Sequence, residues 1–129
     1  NVVVTRNIVF GSVEAGEGGI EVESNPVHNK NTGFSENVNV TDNIVYNSNW
    51  GIYVRVYATD HPNWNGTLLK SKNILIENNT VSNSAIGINL LNGKDIIVRN
   101  NNISANTIPF LVDNLNVLNY TVTDNVGYS

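Results

Sequence analysis

Residues 72–102 read KNILIENNTVSNSAIGINLLNGKDIIVRNNN, and the second half of the stretch rewrites the first. Ile74-Leu-Ile76-Glu-Asn-Asn79-Thr-Val81 returns 22 residues later as Ile96-Ile-Val98-Arg-Asn-Asn101-Asn-Ile103. A fixed period of this size marks a solenoid or a repeat array. Working outward, the same template covers the chain. Val4, Val40, Ile76, Val98 and Val122 form one apolar column, and three residues on stand Asn7, Asn43, Asn79, Asn101 and Asn125. Val9, Val45, Val81 and Ile103 follow, with Gly127 breaking that series. A later column reads Gly19-Ile20, Gly51-Ile52, Gly87-Ile88 and Pro109-Phe110. Successive copies lie 36, 36, 22 and 24 residues apart, so the longer steps are the 22-residue unit with material inserted.

The apolar residues alternate or run together over only a few positions, as in Val38-Asn-Val40 and Gly51-Ile-Tyr-Val-Arg-Val-Tyr57. This is the pattern of short strands rather than helices. Asparagine and glycine punctuate the strands at constant offsets, which supplies turns with φ > 0. One coil cannot bury its own apolar side chains, whereas stacked coils can. The expected fold is all-β: a right-handed parallel β-helix of about four coils plus one strand, in a single domain over residues 1–129. Two insertions, 24–36 and 58–71, leave neighbouring coils just after the G-I-x-V strand and should rise side by side. Five coils at about 4.8 Å give a stack of about 24 Å.

Two roles suit the recurrent asparagines. They can act as turn residues that tolerate the left-handed region. They can also form an internal ladder, each amide bonding the next coil, and Asn7, Asn43, Asn79, Asn101 and Asn125 in register point to the ladder. In both cases the role is structural.

The N-x-V/I pattern followed by G-I-x-V resembles the repeats of the pectate-lyase-like right-handed parallel β-helix superfamily, over nearly all of the chain. The resemblance implies the fold. It implies no single activity, because that superfamily holds polysaccharide lyases, polygalacturonase-type hydrolases, uronate epimerases, phage tailspikes and non-catalytic surface proteins. No Asn-Thr-Asp, Gly-His-Gly or Arg-Ile-Lys triplet occurs, so no lyase or polygalacturonase residue is carried over. The resemblance allows a carboxylate-bound Ca²⁺ between loops; the sequence has no calcium-loop spacing.

Composition narrows the partners. The net charge is −4 and the seven Lys and Arg do not cluster, which argues against nucleic acid. No apolar run reaches membrane-spanning length. With no cysteine, disulfides and thiolate metal sites are excluded, and His28 and His61 lack zinc-site spacing. Expected cofactors are therefore none beyond that Ca²⁺. Gly11-Ser-Val-Glu-Ala-Gly-Glu-Gly-Gly19 lacks the Lys-Ser/Thr of a phosphate loop and carries two glutamates, so it reads as a flexible turn. Five N-x-S/T triplets, at Asn39, Asn65, Asn78, Asn102 and Asn119, are what an Asn-rich chain produces by chance. Asn and Thr richness with little charge suits an extracellular or cell-surface solenoid.

Strand parity locates a candidate site. With Ile20, Val22, Ile52, Val54, Ile88 and Leu90 inward, the outward residues are Glu21, Glu23, Tyr53, Arg55, Tyr57, Asn89 and Leu91. Parallel stacking sets Glu21 beside Tyr53 and Glu23 beside Arg55, and the insertions add His28, Asp60, His61 and Trp64. Carboxylates, a fixed cation and aromatic rings are what a sugar-binding groove uses. Glu21 or Glu23 with Asp60 is the pair for glycosidic acid–base work. A lyase or epimerase would use Arg55, Tyr53 or His61 at the acidic C5 proton, with Tyr57, Trp64 and His28 as binding residues. The competing reading is a surface ion pair between Glu23 and Arg55, worth at most about 1 kcal/mol, on a structural or filament-forming protein. The expected partners are a polysaccharide or glycan, and either further coils of the same polypeptide or copies stacked head to tail, since no capping helix is visible at either end and the chain opens at Asn1 without an initiator methionine.

Overall fold

A computed structural model describes residues 1–11, 18–24, 35–56 and 70–128. The interiors of the two inserted stretches and the glycine-rich turn lie outside them. The described residues form thirteen strands and no helix. They are β1 (Val2–Thr5), β2 (Ile8–Phe10), β3 (Ile20–Ser24), β4 (Glu36–Thr41), β5 (Ile44–Tyr46), β6 (Trp50–Val56), β7 (Lys72–Glu77), β8 (Thr80–Ser82), β9 (Ile86–Leu90), β10 (Gly93–Arg99), β11 (Asn102–Ala105), β12 (Ile108–Val112) and β13 (Val117–Thr123). Every third strand belongs to the same sheet. The first sheet runs β1-β4-β7-β10-β13, the second β2-β5-β8-β11 and the third β3-β6-β9-β12, with every pairing parallel.

Register follows the apolar columns. Val4 pairs with Val40, Val40 with Ile76, Ile76 with Val98 and Val98 with Val122. Because side chains alternate with period two, one slip would turn each column to solvent. Val40, Ile76, Val98, Val45, Ile52, Val54, Ile88, Leu90 and Ile103 are fully buried, and residues from all three sheets form one core cluster. Each such side chain contributes about 1.5–3 kcal/mol. In the first coil Val4 and Val9 are only partly buried, while Val3, Ile8 and Phe10 are exposed.

The asparagines fall into two groups, at different positions. Eleven described non-glycine residues have positive φ, and all but Arg6 are Asn or Asp. These short polar side chains occupy the left-handed region at least cost. At the corner after the first sheet, Arg6, Asp42, Asn78, Asn100 and Asp124 take this conformation. Each turns the chain so that the next residue, an asparagine, points inward. Asn43, Asn79 and Asn101 are each 1% exposed and Asn125 8%, whereas Asn7 is exposed. The Nδ2 groups of Asn7, Asn43, Asn79 and Asn101 donate to Oδ1 of Asn43, Asn79, Asn101 and Asn125, at 2.9–3.0 Å. The backbone N–H of each donor residue reaches the same oxygen.

In the glycine column Gly19 takes the expected positive φ, of 94°, whereas Gly51 and Gly87 have a different cause. Gly51 and Gly87 are not among the positive-φ residues. Their constraint is steric: a Cβ on Gly51 would lie 2.3 Å from Val81 Cγ1 and 2.5 Å from Gly87 O, and one on Gly87 would lie 2.5 Å from Pro109 O. Here the backbones of adjacent coils approach too closely for any side chain.

Candidate functional site

The third sheet brings together part of the expected outward set. Glu21 pairs with Tyr53, Glu23 with Arg55 and Tyr53 with Asn89, and above them Leu111 pairs with Asn89. Glu21, Glu23, Tyr53 and Arg55 meet. The Tyr53 hydroxyl donates to Glu21 Oε2 at 3.2 Å, Arg55 Nε donates to Glu21 Oε1, and the Arg55 guanidinium lies 3.6 Å from Glu23 Oε2. The same guanidinium sits 5.7 Å from the Tyr53 ring centroid, and Trp50 meets that ring edge-on at 5.3 Å. The Arg55 side chain is 12% exposed, so this is a largely desolvated charge shared between two carboxylates. A cation so placed interacts more strongly than one on an open surface.

Two features depart from the sequence-based picture. Tyr53 points outward by register yet is only 3% exposed, so its ring is enclosed rather than open as a stacking platform. Asn89, outward by register and not counted as a site residue, is 1% exposed, and among the described residues its Oδ1 has no hydrogen-bond partner. An unpaired buried carbonyl carries a desolvation penalty of about 1–3 kcal/mol. Trp50 was also missed; its only signal is an aromatic directly before the glycine of the G-I-x-V strand. Tyr57, Asp60, His61, Trp64 and His28 lie outside the described residues.

The feet of the two insertions are described, and they clasp. The hydroxyls of Ser24 and Ser71 are 2.8 Å apart and buried. Ser35 N–H donates to Ser71 Oγ, and Ser35 Oγ donates to the Glu23 carbonyl. The start and return of the first insertion and the return of the second therefore meet at one hydrogen-bonded point beside Glu23. Among the described residues no group of three or more His, Asp or Glu side chains gathers as metal ligands would, and no helix is long and apolar enough to cross a membrane.

Compared with family models, curated proteins and solved structures, the chain gives no significant match to any of them.

Proposed function

We propose that the chain is an extracellular carbohydrate-interacting module built as a right-handed parallel β-helix, of the kind found in the pectate-lyase-like superfamily. Its three sheets close around the common core, and the buried asparagines act as an internal ladder. The observation that carries the functional reading is the cluster on the third sheet. Arg55 is held between Glu21 and Glu23 against Tyr53. A rigid sheet face that fixes charged and hydrogen-bonding groups is a common way to build a ligand site. Hydrolysis, β-elimination or epimerisation at this face would take Glu21, Glu23, Arg55 and Asp60 as the acting groups.

A glycan array probed with the parent chain and with Arg55→Ala and Glu21→Gln tests the reading. The parent should bind at least one polysaccharide class, and both variants should lose it. Binding to none, or binding that both variants retain, refutes it.

The second reading is a non-catalytic structural protein that assembles by stacking. It is favoured by the exposed apolar edge of the first coil, where Val2 is 50%, Val3 61%, Ile8 70% and Phe10 70% exposed. Contiguous exposed apolar side chains of this kind are a surface on which another copy could pack. Concentration-dependent light scattering together with a silent glycan array is the result this reading expects.

A further inference from the structure

The first sheet carries a feature that the sequence did not announce. Asn37, Asn73, Asp95 and Asn119 are left-handed, with φ of 54–56°, yet they lie within or beside the strands rather than at corners. Lys94 pairs with Lys72 and Ile96 with Ile74, while Asp95 and Asn73 between them drop out of the ladder. One such residue per coil kinks each strand as a bulge does. Stacked, the kinks crease the outer face of the sheet.

The crease is a cavity of about 350 Å³ lined by Asn73, Leu75, Asp95, Ile97, Asn119 and Thr121, with the backbones of Ile74 and Ile96 behind them. Its two walls differ. One is a polar rail of Asn73, Asp95 and Asn119. The other is Leu75, Ile97 and Thr121, of which Ile97 is 42% exposed. Asn119 Nδ2 donates to Asp95 Oδ1, and Asn73 Nδ2 donates down the stack to Asn37. Among the described residues no other donor reaches the carboxylate of Asp95, and Asp95 has no ion pair. Turning either amide over would not change the balance, because a carboxylate only accepts. The rail thus has acceptors in excess and recurs at the coil spacing, about 4.8 Å.

We propose that this crease binds a neutral, extended saccharide lying along the stack axis, at a site distinct from the third-sheet cluster. Hydroxyls on one edge of such a chain supply donors to the Asp95 carboxylate and can accept from the second amide hydrogens of Asn73 and Asn119. Its C–H face packs on Leu75 and Ile97. The alternatives fit less well. A peptide strand pairs through backbone edges, which a sheet face does not offer. Nucleic acids and polyuronates bring negative charge to an unneutralised Asp95. The crease is at the small end of ligand sites, which run from about 300 Å³ upward, so it suits a short stretch of sugar chain.

The experiment is an amide-resolved NMR titration of the full chain with cellohexaose, with tri-galacturonate as the charged comparison. Cellohexaose should shift the amides of residues 73–75, 95–97 and 119–121 together. Ile97→Glu, a change of an exposed side chain, should abolish those shifts and leave the thermal midpoint near the parent's. Arg55→Ala, on the other face, should leave them in place. Tri-galacturonate should leave the crease unshifted. No shift there, shifts confined to the third sheet, shifts that survive Ile97→Glu, or equal shifts with tri-galacturonate would each overturn the proposal. Shifts at the third sheet alone, abolished by Arg55→Ala, would support the cluster there while refuting the crease.

Discussion

Replacing Asn79 with alanine tests the physical basis of the stack. Asn79 makes four side-chain hydrogen bonds. Its Nδ2 donates to Val40 O at 2.9 Å and to Asn101 Oδ1 at 3.0 Å, and its Oδ1 accepts from Asn43 N and Asn43 Nδ2, both at 3.0 Å. Alanine removes all four, and at 1% exposure no water replaces them. The Asn43 N–H, one Asn43 amide hydrogen and the Val40 carbonyl lose their partners. Asn101 Oδ1 keeps the Asn79 backbone N–H. At the low end of about 1–3 kcal/mol per orphaned buried group, three groups cost about 3 kcal/mol. For a urea m-value of about 1–3 kcal/mol/M, the unfolding midpoint should fall by about 1–3 M. Asn7→Ala is the control: it removes the same residue type from an exposed position and should cost less than about 1 kcal/mol. The assay is urea unfolding followed by circular dichroism, with the m-value unchanged between variants. Equal midpoints for Asn79→Ala and Asn7→Ala would mean that these hydrogen bonds do not hold the coils together.

Other expectations follow from particular contacts. Gly51→Ala should destabilise by about 1–3 kcal/mol, the cost of overpacking, because its Cβ would meet Val81 and the Gly87 carbonyl; Gly18→Ala, whose Cβ would meet neighbours at 3.5 Å, should be tolerated in the same thermal melt. The Asp113 carboxyl is held below its ordinary value of 3.8, first by the Asn116 side-chain hydrogen bond and then by the Leu115 N–H. A depressed carboxylate contributes stability that is present above 3.8 and lost as pH falls through the lower folded value. The parent's thermal midpoint should therefore drop more steeply in acid than that of Asp113→Asn, and parallel curves would refute the assignment.

Much of the architecture was legible because its causes are local and repeated. Val40, Ile76 and Val98 recur at one offset, and stacking is the arrangement that buries such a column. The same periodicity brought Glu21 to Tyr53 and Glu23 to Arg55, since equal offsets in successive parallel strands become neighbours. The sequence by itself thus determined the strand order, the inward columns, the asparagine row and the outward identity of the third-sheet residues.

Tertiary structure decided what periodicity does not encode. Parity sends Tyr53 outward but says nothing about what encloses it, and its burial is a property of three-dimensional packing. The glycine column is set by the approach of Gly51 to Gly87 across 36 residues of chain, a distance between coils that no local propensity expresses. Asn73, Asp95 and Asn119 look in sequence like ordinary polar strand positions. Only their left-handed backbone, summed over stacked coils, makes the crease. A repeat specifies which residues become neighbours, whereas the backbone kinks and close contacts between coils decide which of those neighbours form a cavity and which are sealed.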